Sequence, residues 1–150
     1  MTIQAKNIFL AIMAVLTFSA CDKLPANGDL DGLWQLMKIE SDGITSDKKD
    51  SRMYCSFQLH LFMLGSQQDG PRAYFGYFEH QNGTIRFHHF TFRSDYSENS
   101  SEDKLMTDDD VNTISPWGFK STDCTFKVAE LNGKQLVISD GDTTITYRKL

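Results

Sequence analysis

The side chains with the most capacity for chemistry are four histidines, at positions 60, 80, 88 and 89, with Glu79 beside them, and three cysteines at 21, 55 and 124. Imidazole and carboxylate together make the donor set of a zinc or other transition-metal site. Their spacing argues against one. Neighbours in a strand alternate, so His88 and His89 are expected on opposite faces. In either register of a turn at Asn82-Gly83, His80 faces Thr84 or Ile85. The same-face histidine then lies four residues further on, about 13 Å away at roughly 3.3 Å per residue. A shared ion would need His60 as well, and no metal site is expected. The acids Asp95, Glu98, Glu102, Asp103 and Asp108 to Asp110 lack the spaced ligands and central glycine of a calcium loop and read as a solvated loop. No Gly-x-Ser-x-Gly, His-Glu-x-x-His, Cys-x-x-Cys or phosphate loop occurs. The chain is therefore expected to be no enzyme, with no catalytic residue and no cofactor.

Cys21 has a different context. One charge, Lys6, precedes an apolar run from Ile8 to Leu16 that ends in Phe18-Ser19-Ala20-Cys21. A positive start and an apolar core of roughly 7 to 15 residues is an export signal, whereas a spanning helix needs about 20. The junction resembles the lipobox of bacterial lipoproteins, in which small residues precede a cysteine that is acylated and becomes residue one. That resemblance implies cleavage before Cys21 and lipidation on it, with residues 1–20 as signal peptide and 21–31 as tether. One acyl chain holds a membrane only marginally, so the family's three-chain lipid would anchor firmly. The expected place is the bacterial cell envelope, outer membrane ahead of inner, periplasmic or surface-exposed.

The remaining chain carries fourteen Lys and Arg against twenty acids, a net charge of minus six. Nucleic acid needs basic surface and is not an expected partner. From Gly32 to Leu150 there is length for one domain. Nine of the chain's eleven Phe, with all five Tyr and both Trp, fall in it, and such side chains suit strands and apolar cavities. Strand-length segments recur between turn residues: Leu33 to Glu40, Met53 to Leu64, Ala73 to His80, Thr84 to Phe92, Cys124 to Glu130, Gln135 to Ser139 and Thr143 to Arg148. An eighth depends on Val111 to Ile114, within a long polar loop where Ser100 and Asp103 could cap a short helix through Met106. Alternation over Met53 to Leu64 puts Cys55, Phe57, Leu59, Leu61 and Met63 on one face. Asn82-Gly83 reads as a hairpin turn. Leu131-Asn132-Gly133 reads as a three-residue bulged loop with Gly133 left-handed, and Asp140-Gly141 as a two-residue loop pairing Ile138 with Thr143. Eight strands with short turns make an all-β, up-and-down antiparallel barrel; the rival is an open Greek-key sandwich. In the barrel, Cys55 and Cys124 begin strands at the same rim on opposite sides. They are either a disulfide, as an even pair in an exported domain suggests, or two buried thiols, since a bridge needs α-carbons within about 7 Å.

Gly32-Leu33-Trp34 at the first strand looks like the lipocalin signature, in which the Trp plugs the closed end and an Arg near the last strand lies across it. Arg148 is the matching residue, although alternation puts it on the face opposite Ile145 and Tyr147. The order of signal, tether, Gly-x-Trp and short strands is similar to small lipocalin-like lipoproteins of gut Bacteroidota. The resemblance implies a membrane-anchored binder of a small apolar or amphipathic ligand, with Phe57, Leu59, Leu61, Tyr77, Phe87 and Tyr147 as candidate lining residues. The alternative is a structural or inhibitory subunit that contacts another envelope protein through its loops.

Overall fold

Ten segments of extended backbone run through the computed structural model, which describes residues 26–68, 73–93 and 103–150. Cys21, the expected signal peptide, and Ser100 with Asp95, Glu98 and Glu102 lie outside the described residues. The strands are β1 (Gly32–Ser41), β2 (Ile44–Asp47), β3 (Met53–Gln58), β4 (Leu61–Ser66), β5 (Ala73–Gln81), β6 (Thr84–Arg93), β7 (Lys104–Leu105), β8 (Cys124–Leu131), β9 (Gln135–Ser139) and β10 (Thr143–Lys149). Eight of them form a closed antiparallel barrel in the order β1, β3, β4, β5, β6, β8, β9, β10, and β10 pairs back to β1. β2 continues the edge that β3 occupies on β1, and β7 adds two residues to β6.

The strand number expected from the sequence is right, but the eighth strand comes from elsewhere. Val111 to Ile114 is not extended: 3₁₀ turns occupy Asp108–Thr113 and Ser115–Trp117. Lys104–Leu105, placed in a capped helix by the sequence, is a strand. The Met53 to Leu64 stretch supplies two strands instead of one. It reverses at Leu59-His60, where Leu59 takes φ 58° and Gln58 pairs with Leu61. Paired residues share a face, so the inward set changes parity from Cys55 and Phe57 to Phe62 and Leu64, and Leu61 and Met63 turn outward.

Asn82-Gly83 is the hairpin turn expected of it, with both residues at positive φ; a second turn of that kind, Asp42-Gly43, joins β1 to β2, a strand the sequence did not suggest. The last two hairpins differ from expectation. Leu131 pairs with Leu136 across a four-residue loop, Gly133 is not left-handed, and the bulge sits between Val128 and Glu130. Ser139 pairs with Thr144. In each loop the first side chain does the closing. Asn132 Oδ1 accepts the backbone N–H groups of Lys134 and Gln135 at 2.9 Å, and Asp140 Oδ1 accepts those of Asp142 and Thr143 at 3.0 and 2.6 Å. The β9–β10 register moves by two residues relative to the expected pairing, so Leu136, Ile138, Ile145 and Tyr147 still share the inner face.

That inner face is the core. Trp34, Phe57, Phe62, Phe87, Phe90, Phe126 and Tyr147 are all at most 2% exposed. Rings of Phe57, Phe62, Phe87 and Phe90 meet edge-to-face or tilted at centroid separations of 4.8 to 5.9 Å. The stretch expected as tether joins the fold before Gly32. A 3₁₀ turn over Gly28–Leu30 buries Leu30, and Asn27 ties the turn to Asp31 and to the carbonyl of Leu59.

Candidate functional site

One end of the barrel, where β1 starts, is closed by the turn at Leu30 and by Trp34. The indole is fully buried and its Nε1 donates to the Leu30 carbonyl at 2.8 Å. The expected third member of this closure, Arg148, is not there. It pairs with Gln35 on the outer face, and its Nη2 donates to Gln35 Oε1 at 2.7 Å. The cation over the indole is Lys149, with Nζ 5.1 Å from the ring and 2.7 Å from the Asp29 carbonyl. Parity decides this: Lys149 is the residue paired with Trp34, so it shares the indole's side of the sheet. Gly32 makes room, since a Cβ there would stand 3.1 Å from Lys149 Cε.

At the other end, where β6 finishes and β8 begins, residues 106–119 fold over the opening as a stopper. Met106, Ile114, Trp117 and Phe119 are buried in it. Phe119 reaches the rings of Phe87, Phe90 and Phe126 at 5.0, 5.3 and 5.8 Å. Trp117 sets its edge on Tyr74. Gly118 between them takes φ 93°, and a Cβ on it would meet Ile145 Cδ1 at 2.7 Å, so only glycine lets the stopper approach the wall this closely. The segment is fixed from outside by Asp108 Oδ1, which accepts from the Ser121 and Thr122 hydroxyls and from the Thr122 N–H. Asp110 likewise accepts from the Thr107 N–H, which holds its carboxyl below the usual range, with smaller contributions from Lys104 and the Thr107 hydroxyl.

The six candidate lining residues divide. Phe57, Phe87 and Tyr147 face the interior, whereas Leu59, Leu61 and Tyr77 are 60%, 46% and 43% exposed on the outside. The parity change at Leu59-His60 accounts for the first two, and Tyr77 follows because it pairs with Leu61. Among the described residues, two buried side-chain polar atoms have no hydrogen-bond partner, Trp117 Nε1 and Tyr147 Oη. Burial pushes the Tyr147 phenol well above its ordinary range, helped by the Cys55 and Cys124 thiols near it. Of the two arrangements open for those cysteines, the structure has free thiols at both. β3 and β8 stand opposite each other in the ring, with three strands between them either way round. Burial raises both thiols, Cys124 to about 12 with added push from Asp123 and Asp140.

The outer wall carries what the sequence reading missed. A groove of about 260 Å³ is lined by Leu61, Phe75, Tyr77, His89 and Thr91, among others, and a second of about 270 Å³ by Leu33, Tyr54, Met63 and Leu150. His60 stacks on Tyr77 at 5.4 Å. His88 and His89, expected on opposite faces, instead stand together, because the β5–β6 register slips between Phe75 and Tyr77. The signal that could have revealed this is weak: His88-His89-Phe90 interrupts an otherwise alternating strand.

The Lipocalin-like domain family model matches residues 16–150. Two solved structures share the fold. A lipocalin-like protein from Bacteroides uniformis ATCC 8492 is 23% identical with a TM-score of 0.58, covering 82% of this chain and 100% of that one. An uncharacterized protein from Bacteroides eggerthii DSM 20697 is 22% identical with a TM-score of 0.55, covering 81% and 99%. No curated protein matches the chain. A single closed barrel, a Trp at its sealed end and a family match over nine-tenths of the sequence lead to one statement: the chain belongs to the lipocalin-like domain family.

Proposed function

We propose that this is a cell-envelope lipoprotein, held by acyl chains on Cys21, that takes a small apolar or amphipathic molecule into its barrel past the Met106 to Phe119 stopper. The lipid anchor rests on the lipobox-like junction and the binding role on the fold. The observation that carries the interior site is the pair of buried polar groups without partners, Trp117 Nε1 and Tyr147 Oη. Each such group costs about 1–3 kcal/mol when left unpaired, and a ligand with an accepting oxygen among apolar atoms would relieve that cost. The stopper is built of 3₁₀ turns and loop, so it can move without breaking the ladder of the barrel.

Native mass spectrometry on the chain extracted gently from membranes tests this. A bound lipid, bile acid, haem or glycan is expected, with uptake weakened in Tyr147→Phe and Trp117→Phe. A chain that neither carries nor takes up any of them defeats the reading.

One observation favours a second reading, a non-enzymatic structural or inhibitory subunit that contacts another envelope protein through its loops. The rings of Phe57, Phe62, Phe87, Phe90, Phe119 and Phe126 already touch one another across the interior. Crosslinking in intact cells separates the two, since a carrier needs no stoichiometric protein partner.

A further inference from the structure

Between the pairs Tyr77 with His88 and Phe75 with Thr91, β5 passes one residue, Gly76, while β6 passes two, His89 and Phe90. That is a β-bulge, and its extra residue, His89, takes φ 53°. Phe90 keeps its place in the core, so the slip is absorbed by the histidines, which both come to the outer surface. Their rings lie 4.9 Å apart at 72°, and the two Nδ1 atoms approach to 2.6 Å. Such a distance requires that at least one Nδ1 presents a lone pair. The other nitrogen of His88, Nε2, is 3.5 Å from Glu79 Oε1. A carboxylate at Nε2 favours the tautomer with the proton there, which frees Nδ1 to act as a donor atom toward a cation. Tyr77 flanks both rings, at 6.1 and 6.0 Å.

The geometry points to a transition-metal site on the outer wall of the barrel, in which the Nδ1 atoms of His88 and His89 chelate one divalent first-row cation and Glu79 orients His88. Two nitrogens at about 2.0–2.1 Å from one ion stand about 2.9 Å apart at a right angle and about 3.3 Å apart in a tetrahedron. Opening from 2.6 Å to that span is a shift of a few tenths of an ångström, within reach of side chains on a surface bulge. Among the described residues no set of three His, Cys, Asp or Glu converges. The site therefore offers two protein nitrogens and leaves its other positions to water or to a ligand atom. His89 also lines the outer groove of about 260 Å³, so those open positions adjoin a partly apolar hollow. Two imidazoles with open positions suit Cu²⁺ first in the ordinary affinity order, then Ni²⁺ and Zn²⁺. The surrounding charges are Glu79, the Arg86–Asp123 pair joined at 2.7 Å, and Asp103 in the groove wall. Asp123, held below the usual carboxylate range chiefly by its bond to Arg86, lies near both histidines.

The test is titration of Cu²⁺ into the full chain in mild detergent, stripped of metal beforehand and buffered at about pH 7.5. The expected result is one equivalent bound in the micromolar range, with paired imidazole nitrogens in the paramagnetic resonance spectrum. Affinity should fall at least tenfold in His88→Asn and in His89→Asn, fall less in Glu79→Gln, and stay unchanged in His60→Asn and His80→Asn. Asparagine tolerates the left-handed backbone at position 89, so that variant keeps the bulge. No stoichiometric uptake, uptake that survives both single substitutions, or a spectrum without paired nitrogens would overturn the inference. The site is independent of the barrel interior, and cation binding can stand while ligand uptake fails.

Discussion

Replacing Phe119 by alanine tests whether the stopper belongs to the core or merely rests on it. Phe119 is fully buried although it comes from a loop, and its ring meets three strand residues, Phe87, Phe90 and Phe126. A buried phenylalanine contributes about 2–3 kcal/mol by transfer, each edge-to-face pair adds a fraction of about 1 kcal/mol, and the cavity left behind costs more. The expected loss is about 3–5 kcal/mol, a fall in Tm on the order of 10–20 °C for a domain of this size. Urea unfolding followed by tryptophan fluorescence reads it, since Trp34 and Trp117 are both buried. Phe126→Ala, a removal of the same ring from a strand, is the reference and should cost a similar amount. A loss below about 1 kcal/mol for Phe119→Ala beside a full loss for Phe126→Ala would refute the claim that loop and barrel share one core.

Alkali should unfold the domain early. Cys55, Cys124 and Tyr147 all have folded-state pKa values raised by burial above their ordinary 9.0, 9.0 and 10.0. The unfolded chain loses these protons first, so stability is complete below about pH 9 and then falls by about 1.4 kcal/mol per pH unit for each group titrating. Urea midpoints between about pH 8 and 11 should decline along that slope, and Cys55→Ala with Cys124→Ala should flatten it. At the sealed end, Lys149→Met should cost about 1 kcal/mol and alter Trp34 emission, while Arg148→Met should stay within about 0.5 kcal/mol; the reverse order in thermal melts would restore Arg148 to the closure.

The barrel was legible because strand alternation and the positive-φ turn at Asn82-Gly83 are local properties. Most of what was not legible shares one cause, a change of parity. Leu59-His60 lacks the Gly, Asn or Asp that marks a reversal, so Leu59 and Leu61 were assigned to the interior that Phe62 and Leu64 occupy. Phe90 in the core forces the His89 bulge, announced in β6 only by the break in alternation at His88-His89-Phe90. Arg148 and Lys149 differ only in which one pairs with Trp34, a fact of register between strands more than a hundred residues apart. The stopper was hidden for a simpler reason: Ile114, Trp117 and Phe119 lie in a stretch without period.

The seam between β1 and β10 also orders events during folding. Residues 34–41 must wait for residues 143–149 to arrive at the site of folding before that ladder can zip. Until then the chain is an open, curled ribbon, with the outer edge of β1 and the free edge of β9 both ready to pair with another molecule. A chain cut short before Thr143 would be arrested in that state, and its fate would be clumping rather than a smaller barrel.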